Sequence, residues 1–263
     1  MMTDNLGPLR KAFEEAICNA VSGKEIAIAF SGGLDSGVVA AIAKGHAKRA
    51  TLYTAGSEGS HDVKEAGTAA AELNMRLVII PITEHDVKES LREMIRITGM
   101  RDPVTLSFEI PLFHVCKNCE EDEIISGQGA DELFAGYSKY IGLGDDVLKE
   151  KIAEDMRKLF GSTLPHERMM AEHFGKKIHY PFLDEAVMRE AGRFCLTAPT
   201  DDPQSRKRAL RELSHSIGLT GISVKEKKAA QYGSGAMAII RKMCTDSGMT
   251  YTELIEVLCG EAE

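Results

Sequence analysis

Seven consecutive residues, Ser31-Gly32-Gly33-Leu34-Asp35-Ser36-Gly37, have the types needed to hold a phosphate. Glycine lacks a Cβ, so the backbone can turn sharply and approach an anion with successive N–H groups converging on it. Ser31 and Ser36 add hydroxyl donors. Asp35 would repel a phosphate unless a cation lay between them, so its presence implies Mg²⁺. Two rival patterns fail. No GxxxxGK[ST] occurs, and Gly127-Gln128-Gly129-Ala130-Asp131-Glu132 lacks the third small residue of a dinucleotide fingerprint. In isolation Ser-Gly-Gly would read as a turn and Asp35 as a helix cap. The elements on either side decide for the phosphate loop.

Glu25 to Phe30 (EIAIAF) reads as a buried strand, and Asp35 to Lys48 as a helix starting straight after the glycines. That helix would bring its positive N-terminal end to the anion. Leu9, Phe13, Ile17 and Val21 recur at helical spacing before it, in a helix ended near Gly23. The alternation continues with strands over Thr51 to Ala55 and Arg76 to Ile80, and helices over Asp62 to Leu73 and Glu84 to Ile97. A helix from Pro111 to Cys119, a short strand from Glu123 to Ser126 and a helix from Ala130 follow. Strands alternating with helices imply parallel βαβ units, hence an α/β doubly wound, mostly parallel sheet over residues 1–144. Residues 145–263 read as an all-helical region, with helices near 147–160, 185–194, 205–217 and 236–258. It carries the irregular loops Tyr180 to Asp184 and Lys225 to Gly235.

Charge and composition narrow the function. A formal net charge of −8 argues against dispersed nucleic-acid binding. Between Gln204 and Lys242, however, nine Lys and Arg face two Glu, a field suited to a polyphosphate. The longest apolar run, Val38 to Ala43, is far below the roughly 20 residues of a membrane span, and Met1 to Asn5 lack a secretory signal, so a cytoplasmic location is expected. The cysteines form no disulfide framework. Cys116 and Cys119 are spaced as half a metal or redox site, but with no second pair they read as packing residues.

SGGLDSG after an apolar strand resembles the pyrophosphate loop of the N-type ATP pyrophosphatases, or PP-loop superfamily, whose fold is adenine nucleotide alpha-hydrolase-like. Four further segments resemble the synthetase domain of asparagine synthetase in the same order: Ser126 to Tyr137 (SGQGADELFAGY), Pro181 to Asp184 (PFLD), Lys207 to Arg211, and Lys225 to Gly235 (KEKKAAQYGSG). The resemblance implies that ATP is split to AMP and pyrophosphate to activate a small-molecule carboxylate. Ser31, Gly32, Gly33, Asp35 and Ser36 would then surround the pyrophosphate, with Asp35 and Asp131 holding Mg²⁺. Ser126 and the backbone of Ala29, Ala55 and Gly127 would line the adenosine. Lys227 would meet the charge on the leaving pyrophosphate, and Asp184 would face the acceptor.

Two departures from the family pattern bear on the nitrogen donor. Some twenty residues precede the first strand and no N-terminal catalytic cysteine opens the chain, so ammonia is expected free or from a partner glutaminase subunit. Gln128 stands where asparagine synthetases carry a glutamate that assists the incoming amine, and an amide cannot take a proton at neutral pH. The leading expectation is an amide ligase, with aspartate as one candidate acid. A PP-loop tRNA-modifying enzyme that adenylates a base carbonyl, and a non-catalytic nucleotide-binding subunit, are the alternatives.

Overall fold

A computed structural model describes residues 6–193, 199–200, 202, 205–223 and 233–262. Five strands, β1 (Glu25–Ala29), β2 (Arg49–Gly56), β3 (Leu77–Pro81), β4 (Glu123–Ile125) and β5 (Lys177–His179), form one parallel sheet in the order β3-β2-β1-β4-β5. Chain direction across the sheet therefore reverses after β3. Succession runs from β1 outward to β3, then returns to the other side of β1, so a topological switch point lies between β1 and β4. In open α/β sheets ligands bind outside the carboxyl ends of the strands at that point.

Period-two alternation divides the strands between two cores. Ile26 and Ile28 of β1, Leu52 of β2 and Ile125 of β4 point into one. Helices α1 (Leu6–Val21), α2 (Leu34–His46), α3 (His61–Leu73), α9 (Glu185–Ala191) and α10 (Arg208–Ser216) cover it. Ala27, Tyr53, Ala55, Ile124 and Ile178 point the other way, toward α4 (Glu84–Thr98), α5 (Pro103–Asn118), α8 (Leu164–His173), α12 (Ala236–Ser247) and α13 (Tyr251–Ala262). The short α6 (Ala130–Leu133) follows the loop after β4, the short α11 (Thr220–Ser223) follows α10, and α7 (Asp145–Lys158) runs through a π-helical turn, Leu159–Thr163, into α8. Leu9, Phe13, Ile17 and Val21 are buried as their spacing requires, and the Phe13 ring lies 4.5 Å from that of Phe182.

Three sequence expectations need correction. The region after residue 144 is not all helical, because β5 pairs with β4 through Glu123↔Lys177, Ile124↔Ile178 and Ile125↔His179. Helix α5 begins at Pro103, eight residues before the expected start, and carries Pro111 inside it. The Asp102 side chain caps it by accepting from Thr105 N–H at 2.7 Å. The long helix expected over 236–258 is broken at Gly248, which adopts φ 69° and caps α12. No helix among the described residues is long and apolar enough to cross a membrane.

Candidate functional site

Residues 30–33 leave the carboxyl end of β1 and enter α2 directly. Gly32 has φ 74°, and a Cβ there would lie 2.5 Å from the Ala66 nitrogen on α3. Only glycine therefore lets α3 close against the loop. Ser36, buried in the first turn of α2, receives the Ser31 N–H at 3.3 Å and donates to the Gly33 carbonyl at 3.4 Å. The hydroxyls thus hold the turn's shape, and Ser31 stays exposed.

The loop after β4 abuts this one across the switch point. A Cβ on Gly127 would sit 3.1 Å from both the Asp35 Cβ and the Ser36 nitrogen. Ser126 N–H bonds the His179 carbonyl at 3.0 Å, tying the loop to β5. Ala29 and Ala55 stand at or next to the carboxyl ends of β1 and β2. Near β2 the far end of the Lys225 to Gly235 loop docks: Ser57 N–H donates to the Ser234 carbonyl at 2.8 Å, and a Cβ on Gly235 would meet Ser57 Oγ at 2.1 Å. Lys227 lies outside the described residues.

Asp35 and Asp131, expected to share a metal, do converge, and they converge on a lysine. The Lys207 ammonium is 2.7 and 2.6 Å from the two Asp35 oxygens and 2.8 Å from Asp131 Oδ1. All three side chains are largely enclosed. Lys207 marked only part of a family-like segment in the sequence, and nothing local announced its partners. Among the described residues no group of three or more His, Cys, Asp or Glu is placed to hold a metal. Two carboxylates are nevertheless the set Mg²⁺ takes when phosphates and water supply its other oxygens. The pair already cages a cation, so the residues fit the ion.

Gln128 reaches away from the phosphate loop. Its Nε2 donates to Glu167 Oε1 at 2.9 Å, and Glu167 is buried on α8. Burial pushes the Glu167 carboxyl up to about 7, with the Glu132 charge adding to the rise. Glu109, on α5, is held well above the usual carboxylate range by burial and then by Glu167. The sequence expectations place no individual element over Glu167-Arg168-Met169-Met170 and single out none of these residues.

Asp184 and the cysteine pair make local structural contacts. Asp184 caps α9, its Oδ1 accepting from Ala186 and Val187 N–H at 2.9 and 3.4 Å. Leu183, beside it, fills the space under Gly129. Cys116 and Cys119 are buried in the α5 side of the core, where desolvation raises both thiols. Part of the basic run is already paired: besides Lys207, Arg208 bonds Glu212 at 3.0 Å and Lys242 bonds Glu84 at 2.7 Å.

Comparison with known proteins follows the same motifs. Over 95% of its length the chain is 27% identical to an assigned glutamine-hydrolysing asparagine synthetase of Methanocaldococcus jannaschii, spanning 53% of that protein. It is 25% identical to asparagine synthetase B of Escherichia coli over 86% of this chain and 45% of the relative. The chain thus spans about half the length of these curated relatives. An NMN synthetase structure from Francisella tularensis covers 98% of the chain, and 86% of its own, with a TM-score of 0.44 and 15% identity. The asparagine synthase family model matches residues 8–143, just over half of the chain and both loops at the switch point, so the chain belongs to the asparagine synthase family.

Proposed function

We propose that this chain is an AMP-forming carbon–nitrogen ligase: it activates a carboxylate with ATP and then aminates it. The observation that carries the reading is the meeting of Asp35 and Asp131, from the first turns of α2 and α6, on one cation beside the Ser31–Gly37 turn. In the first step a carboxylate oxygen of the acid attacks the α-phosphorus of ATP, and the α–β bridging bond breaks. Pyrophosphate leaves with the bonding pair. The loop N–H groups, Ser31 and Ser36, and the N-terminus of α2 hold it, with Lys227 meeting its charge. Mg²⁺, held by Asp35 and Asp131, offsets the polyphosphate charge when bound with the nucleotide.

In the second step nitrogen attacks the acyl carbon, the bond to AMP breaks, and nitrogen loses a proton. Gln128 can orient the amine through its carbonyl oxygen, but it has no basic atom. Glu167, which accepts the Gln128 amide and titrates near neutrality, takes the proton. Ammonia arrives free or from a separate glutaminase subunit, and aspartate is the first acid to try.

ATP–pyrophosphate exchange with a panel of carboxylates tests the first step, and nucleotide products test the cleavage. Exchange with one acid and formation of AMP support the reading. ADP and orthophosphate under turnover refute it. Nucleotide binding with no exchange for any acid would leave a binding subunit instead.

A further inference from the structure

Lys207 is fixed where it stands. Its backbone is left-handed (φ 55°), its N–H donates to the Phe134 carbonyl at 3.1 Å, and its carbonyl accepts from Arg211 N–H at 2.9 Å in the first turn of α10. Gly136 opens the path for the side chain, since a Cβ there would lie 2.1 Å from both Lys207 Cε and Asp131 Oδ1. The side chain is 5% exposed and its ammonium contacts three carboxylate oxygens. Two enclosed carboxylates facing each other need a counter-charge, and Lys207 supplies it.

The ammonium occupies the point where the two carboxylates converge, 2.6–2.8 Å from their oxygens, so a Mg²⁺ that is to ligate both at ~2.0–2.1 Å must take the place Lys207 now fills. A divalent ion arriving alone would have to expel Lys207 from both carboxylates and would bring nothing to pair with its ammonium. A Mg²⁺–polyphosphate complex brings the anion with it. We propose that Lys207 is a place-holder cation: it closes the Asp35–Asp131 pair to free divalent ions, yields both carboxylates only to metal that arrives with a polyphosphate, and turns its ammonium onto the phosphate oxygens. This rests on the reading of Asp35 and Asp131 as the carboxylates of the nucleotide's metal. Metal and nucleotide then enter as one unit, and free Mg²⁺ neither loads nor blocks the site.

The test is Mn²⁺ binding to the full chain, followed by loss of the free-ion paramagnetic resonance signal. It is run with and without α,β-methylene ATP, alongside melting curves. Wild type should bind Mn²⁺ at least tenfold more weakly without the nucleotide analogue than with it. Lys207→Met and Lys207→Gln should bind free Mn²⁺ at least tenfold more tightly than wild type and melt at a higher temperature when it is present. Lys207→Arg, which keeps the charge, should remain closed to the free ion. Adding Asp35→Asn to Lys207→Gln should remove the new site. If neither neutral variant binds free Mn²⁺ more tightly than wild type, or wild type binds it equally with and without nucleotide, the place-holder is refuted. If Asp35→Asn and Asp131→Asn both leave Mn²⁺–nucleotide binding intact, the metal-site reading fails first and the place-holder with it.

Discussion

Replacing Glu167 by Gln should stabilise the protein at alkaline pH and leave it unchanged near pH 4.5. Gln128 Nε2 can still donate to the Oε1 at position 167, so the substitution removes a titration and keeps the hydrogen bond. The folded protein prefers the neutral acid: the carboxyl is raised from 4.5 to about 7, chiefly by burial. At ~1.4 kcal/mol per pKa unit this corresponds to about 3 kcal/mol. The sign follows from linkage. A carboxyl raised in the folded state binds more protons there than in the unfolded chain, so its contribution is fully present below pH 4.5 and is lost as the pH rises to about 7. Glu109, Glu132, Arg168 and Tyr180 remain around it, and Glu109 and Tyr180 lose a neighbouring charge that helps raise them, which acts in the same stabilising direction. Urea unfolding of both proteins from pH 4.5 to 8.5 should give curves that diverge by up to about 3 kcal/mol toward the alkaline end. Parallel curves would show that Glu167 does not titrate in this window, and its role as proton acceptor would go with them. In activity, amide formation should fall by about 10²–10⁴-fold while pyrophosphate exchange persists.

Gln128→Glu should place a carboxylate where an amide now donates to Glu167, costing about 1.5–3 kcal/mol above pH 7 and little at pH 5, where one acid is protonated; pH-dependent unfolding reads this directly. Asp35→Asn or Asp131→Asn should weaken Mg²⁺-dependent ATP turnover far more than folding, and metal titrations showing unchanged Mg²⁺ dependence would remove both from the site. Gly32→Ala should lower stability by about 1–3 kcal/mol and loosen nucleotide binding, since the new Cβ would be left-handed and 2.5 Å from α3 backbone; a melting temperature equal to wild type would contradict the packing described.

What the sequence made legible was local. EIAIAF followed by glycines and a helix has a period, a length and a turn chemistry that identify β1, its loop and α2 without tertiary information. β5 has none of these: Lys177-Ile178-His179 offers one apolar residue, and its strand character comes from bonding to β4 and from the contact of His179 with Glu123 at 2.5 Å. The early start of α5 was signalled by Asp102-Pro103, a cap followed by proline at the first helical position, and was obscured by treating Pro111 as a beginning. The site divides the same way. Asp35 and Asp131 could be named because each lies in a recognisable motif, whereas the bond from Lys207 to Asp35 spans 172 residues and that from Gln128 runs to Glu167, in a segment the sequence did not single out.

The strand order also sets when the protein becomes safe during synthesis. β1 bonds β2, its near neighbour in sequence, on one edge, but Ile26 on its other edge waits for Glu123, nearly a hundred residues later. At ribosomal rates of ~5–20 residues per second that edge stays open for roughly 5–20 s, and it belongs to a strand whose three central residues are buried. Asp35 and Asp131 emerge before the lysine that neutralises them, so the mouth of the nascent sheet is acidic and self-repelling until residue 207 arrives. Residue 207, made after all five strands, is what balances that pair, so a mouth with its carboxylates offset exists only on a molecule whose segment beyond the last strand has already folded back.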